Sequence, residues 1–257
     1  LNGSNNPGFG LGMVDAVTGA SLPMAINGTV RNGGNTAGIT SLVTDGNDIF
    51  GSGFWYGGTG NFEGTFSASW DGGAINWLAD CHGDTHSVFV QGGAVYNVGH
   101  SHECGGLGDG GYQRTNPWSF SRGIAFSRAA TSTLARDPYG YFNFAGQPAP
   151  SLLNFFPSLD SGTFTGQNQG PWNVAGNSQY VVMGGEFRNV NDAPQQGLVR
   201  FAVSSIAPND QIPRLFLSNW VPRAVSPQAG TVRITWSGNW DRDNEYFTYQ
   251  VFRDNDG

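Results

Sequence analysis

The sequence predicts an all-β chain, in which β-propeller-like blades lead into the start of a β-sandwich. Three observations predict it. Gly supplies 40 of 257 residues, about double the usual share of roughly 7%. Each Gly inside a helix costs about 1 kcal/mol relative to Ala, which excludes a helical bundle. Charged residues make up only 12%, about half the roughly 25% of an ordinary domain. Finally, a hairpin-sized pattern recurs along the chain.

The elements follow in order. Gly12 to Pro23 matches only the last half of the repeat. The first full repeat opens with Ser41-Leu42-Val43-Thr44, turns at Asp45-Gly46-Asn47, and continues Asp48-Ile49-Phe50-Gly51-Ser52-Gly53. The second runs Ser87 to Gly99 around Gln91-Gly92-Gly93, and the third Asn173 to Gly185 around Gly176-Asn177-Ser178. Two β-rich runs about a short Gly/Asn/Asp turn form a hairpin. A further alternating strand follows each hairpin, at Gly64–Trp70, Arg122–Ser127 and Gly197–Val203. Gly46 and Gly92 lie 46 residues apart, within the roughly 40–50 residues of a propeller blade. The third repeat comes after a longer interval, which reads as a degenerate blade or an insertion. Ile124 to Asp137 reads as strand–turn–strand, because Thr131-Ser132-Thr133 interrupts any helical period.

Composition changes near residue 207. The predicted organisation is a β-propeller-like region over 1–207, a linker over 208–221 and a truncated module over 222–257. The module offers strands at Thr231–Trp236 and Phe247–Arg253. It resembles the opening of a fibronectin type III domain, of which about half would be present.

Net charge is −7 and no Lys occurs, so a nucleic-acid partner is not expected. No apolar run approaches the ~20 residues of a membrane span. Two cysteines, Cys81 and Cys104, fit one disulfide in a secreted protein, with two buried thiols as the alternative. The chain opens Leu1-Asn2-Gly3-Ser4 without Met, which reads as a product whose targeting segment is absent. Asn2-Gly3-Ser4 and Asn27-Gly28-Thr29 match the glycosylation acceptor pattern.

All four histidines fall between residues 82 and 102. A hairpin brings its open ends together, so Asp80-Cys81-His82 should face His102-Glu103-Cys104. His82, Asp84, His100 and His102 would then cluster, a donor set suited to Zn²⁺ or another transition ion. The alternatives are a stapled loop whose imidazoles bond the backbone, or a His–Asp acid–base pair. Asp241, Asp243, Asn244 and Glu245 form a second cluster. Alternating carboxylates suit Ca²⁺, or a polar turn. Trp55, Tyr56, Tyr139, Tyr141 and Phe144 lie beside Gly-rich turns and would stack on sugars, or pack in the core. No nucleophile elbow, His-Glu-x-x-His, phosphate loop or dinucleotide fingerprint is present.

Several motifs together carry a family resemblance. They are Cys81-His82-Gly83-Asp84-Thr85, Gly99-His100-Ser101-His102-Glu103-Cys104, Met183 to Asn191, Gln195 to Ala202 and Asn239 to Asn244. The chain resembles secreted actinobacterial proteins in which a β-propeller-like repeat region precedes fibronectin type III, PKD-like or laminin-G-like domains. The resemblance implies an extracellular or wall-associated protein and no defined reaction. The expected function is a non-catalytic binding or adhesion scaffold for a glycan or surface polymer, joined to further domains or neighbouring subunits. The rivals are a metal-dependent secreted enzyme centred on the histidines and a structural subunit of a surface assembly.

Overall fold

The structure is a computed structural model and describes residues 9–107, 111–244 and 246–253. It is all-β, with only two short 3₁₀ turns, at Ala25–Gly28 and Leu217–Asn219, among the described residues. Two compact units divide at Phe201/Ala202, just ahead of the boundary read from composition.

The larger unit carries three main antiparallel sheets, none closed into a barrel. The first orders its strands as in the chain: Ala37–Thr44, Asp48–Trp55, Gly64–Ser69 and Ile75–Ala79. The second does the same with Thr85–Gln91, Ala94–Ser101, Ser121–Thr133 and Pro148–Leu152. The third joins Pro171–Gly176, Tyr180–Gly185 and Leu198–Ala202. Each predicted hairpin is therefore present. Gly12 to Pro23 contributes the small pair Met13–Val14 and Ser21–Leu22.

Burial follows from the alternation along these strands. Phe50, Phe66 and Trp77 of the first sheet meet Val88, Val95, Ile124 and Phe126 of the second in one core. Val98, Val174, Val181 and Met183 form another core between the second sheet and the third. Polar links cross the same seams. Trp77 Nε1 donates to the Arg128 carbonyl at 2.7 Å, Asn97 Nδ2 to Thr65 Oγ1 at 2.8 Å, and Thr40 Oγ1 to the Thr85 carbonyl at 2.6 Å.

Three expectations are corrected. Ser121–Thr133 is one 13-residue strand without a turn. It lies between Ala94–Ser101 on one side and Pro148–Leu152 on the other, so neighbouring strands supply hydrogen-bond partners along the run and no turn is needed. The interval before the third hairpin is neither a spare blade nor a plain insertion, because Pro148–Leu152 returns as the outer strand of the second sheet. In the smaller unit, Arg223–Gln228 pairs with Thr231–Thr235, but Phe247–Arg253 forms no strand. Both strands of that hairpin are exposed along their length. No second sheet covers it among the described residues, so alternation at Phe247–Arg253 finds no ladder to join.

Candidate functional site

The second sheet's first hairpin sets the geometry. Its open ends face each other: His102 N–H donates to the His82 carbonyl at 2.8 Å and His100 N–H to the Asp84 carbonyl at 3.0 Å. Cys81 and Cys104 are joined by a disulfide, and both are fully buried.

A cavity of about 500 Å³ opens beside this end. Its walls are aromatic: Trp55 and Tyr56 from the first sheet, Trp118 from the segment before Ser121, and Tyr139 and Tyr141 from the loop after Thr133. Glu63, Asp84, His100, His102 and Arg114 also line it. Four of the predicted ring residues therefore converge with three of the predicted polar ones. Phe144 does not belong with them. It is 4% exposed and packs edge-on to Phe62 at 5.8 Å, in the core.

The aromatic loop is fastened at both ends. Asp137 Oδ1 accepts the N–H groups of Tyr139 at 2.9 Å and Tyr141 at 2.8 Å. The Arg114 guanidinium lies 4.2 Å over Tyr139 and 4.7 Å over Trp118, and it donates to Tyr141 Oη at 3.1 Å. Cation–π contacts of this kind each contribute about 0.5–1 kcal/mol at exposed sites. Trp118 in turn lies 4.3 Å from the His102 ring.

Among the described residues, the predicted histidines do not converge as one donor set. His100 Nδ1 pairs with Gln169 Oε1 at 2.7 Å, and His86 Nε2 contacts the same oxygen at 3.2 Å. Tyr56 Oη donates to Asp84 Oδ2. His102 Nδ1 is buried without a hydrogen-bond partner among the described residues. His82 turns instead to residues outside the predicted set. Its Nδ1 contacts Glu103 Oε1 and lies 3.7 Å from Asp137 Oδ2, while Nε2 lies 3.6 Å from Asp80 Oδ2. Tyr141 stacks on its ring at 3.6 Å. Among the described residues, the ligand atoms that converge are those of His82, Glu103 and Asp137, all within 4.8 Å of one another. Of the sequence-derived set, only His82 is in that group.

Electrostatics separate the groups further. Burial alone would lower the pKa of His82, but the Asp80 and Glu103 carboxylates override it and hold it at about 10. Burial pushes Glu63 up to about 7, with the charges of Asp84 and Asp80 adding to it. Burial, then the Arg114 cation, pushes His102 down to about 4.

Sequence reasoning missed Glu63, Asp80, Glu103, Arg114, Trp118 and Asp137 as site residues. Asp80 and Glu103 carried a signal, since each adjoins a half-cystine. The others come from distant segments with no local pattern.

The Asp241 cluster lies in the smaller unit. Asp241 Oδ1 accepts the N–H groups of Asp243 at 2.9 Å and Asn244 at 2.7 Å. Asp243 Oδ2 accepts those of Asp210 at 3.0 Å and Gln211 at 2.6 Å. These oxygens stitch the turn to itself and to the Asp210–Gln211 segment on the far side of the hairpin in sequence. Glu245 lies outside the described residues.

Among the described residues, no helix is long and apolar enough to cross a membrane. No family model, curated protein or solved structure matches the chain.

Proposed function

We propose that the protein is an extracellular, non-catalytic binding scaffold whose cavity takes a sugar ring of a glycan or surface polymer. In this reading its three sheets are successive blades of a β-propeller-like array. One observation carries it. Of ten buried side-chain polar atoms that lack a hydrogen-bond partner among the described residues, four belong to residues of this aromatic-walled cavity: Trp55 Nε1, Asp84 Oδ1, His102 Nδ1 and Arg114 Nε. Such atoms cost about 1–3 kcal/mol each when left unpaired. A sugar presents hydroxyls that both donate and accept, and C–H faces that lie against rings. Carboxylate, imidazole, indole and guanidinium groups set among five aromatic rings complement both features. The disulfide accords with an oxidising compartment.

The test is calorimetric titration of the full chain with a panel of neutral and acidic oligosaccharides. Trp118 and Tyr139 are partly exposed, so their replacement spares the core. Trp118→Ala or Tyr139→Ala should weaken binding by about tenfold, which is about 1.4 kcal/mol. Saturable binding that both variants leave unchanged would overturn this assignment of the cavity.

A further inference from the structure

We propose that His82, Glu103 and Asp137 bind one divalent transition cation, Zn²⁺ or Mn²⁺, which ties the Tyr139–Tyr141 loop to the disulfide-closed hairpin. The donor set supplies one imidazole nitrogen and two carboxylates, a mixture suited to these ions rather than to the six to eight oxygens of Ca²⁺. Their ligand atoms already lie within 4.8 Å of one another. An ion holding ligands at about 2.0–2.2 Å would take the place of the proton between His82 Nδ1 and Glu103 Oε1, which must move apart to admit it, while Asp137 Oδ2 stays close to its present 3.7 Å from Nδ1.

The far side of the ring fits the same role. Asp80 Oδ2 lies 3.6 Å from Nε2, within ion-pair range, so a carboxylate faces that edge of the imidazole while Nδ1 is turned to the other two donors; with an ion bound, Asp80 would be the orienting partner. Charge points the same way. Asp80, Glu103 and Asp137 place three carboxylates about one imidazole, with side chains no more than 8% exposed. Among the described residues no Arg forms an ion pair with any of the three, and the chain has no Lys. Buried carboxylates need polar or cationic partners.

The cavity wall lies next to this group. The His102 ring is 5% exposed, its centroid is 6.4 Å from that of His82, and its Nδ1 has no hydrogen-bond partner among the described residues. The cavity and the proposed ion site are therefore neighbours. Asp137 links the two features, because Oδ2 faces His82 while Oδ1 holds the N–H groups of Tyr139 and Tyr141. The effect on the sugar cavity rests on the proposed function; the ion site itself does not.

The full chain, dialysed against Zn²⁺ or Mn²⁺ and then gel-filtered, should retain one ion per molecule by elemental mass spectrometry. Asp137→Asn and Glu103→Gln should abolish retention. Asp80→Asn should weaken affinity by about 10- to 100-fold, as loss of a ligand-orienting partner does. Near-UV circular dichroism and an intact disulfide report that each variant is folded. A wild-type chain that retains no stoichiometric ion overturns the proposal, as does a folded Asp137→Asn that binds as tightly as wild type. Ion retention is read without sugar. A chain that holds the ion but binds no oligosaccharide supports this site and refutes the sugar reading alone.

Discussion

At Gly83 the backbone has φ +119°, and a Cβ there would collide with the His100 carbonyl across the hairpin end. Only Gly allows both the conformation and the approach that bring His82 and Asp84 opposite His100 and His102. Gly83→Ala should therefore destabilise the fold by more than 1 kcal/mol in urea unfolding, and it should impair the cavity as well. Glu63 makes a second residue-scale prediction. Its folded pKa is about 7 against an ordinary 4.5, so the native state holds the proton more tightly than the unfolded chain. Its stabilising contribution is complete below about 4.5 and is lost as pH rises through about 7. Relative to Glu63→Gln, the wild type should lose up to about 3 kcal/mol between those values, read from urea unfolding of both proteins at a series of pH values.

The hairpin from Thr85 to Ser101 is the element that organises the site. Its two ends were legible because Asp80-Cys81-His82 and His102-Glu103-Cys104 flank one clear turn, and pairing brings such ends together. The disulfide closes a loop with a sequence separation of 23. In the chain-entropy account, removing it with a Cys81→Ser/Cys104→Ser pair should cost about 3–4 kcal/mol of unfolding free energy. The Asp137–Phe144 loop is the opposite case. Its rings were legible as candidates, but their fates depend on where each side chain lands: Tyr139 and Tyr141 in the cavity wall, Phe144 in the core.

At the scale of the larger unit, successive sheets share hydrophobic cores. Trp77 is fully buried between Phe50 and Phe126, with ring centroids 6.2 Å from each. Trp77→Ala should cost about 3–5 kcal/mol and shift the thermal midpoint accordingly, measured by calorimetry. Both hydrophobic cores draw only on residues up to Phe201. A chain ended after Val203 should therefore keep the disulfide and a cooperative thermal transition.

Local pattern determined the β class, the three hairpins, the half-cystine pair and the pool of aromatic and imidazole residues. Those features depend on neighbours a few positions apart, through alternation, turn chemistry and the convergence of hairpin ends. Tertiary structure alone decided which groups share a site. Glu63, Arg114, Trp118 and Asp137 reach the hairpin from separate segments, brought there by packing between sheets and by loops whose paths no local period encodes. It also decided the partners of each histidine, because a buried carboxylate such as Glu103 or Asp137 competes for an imidazole through distance and desolvation, and neither is written in spacing along the chain.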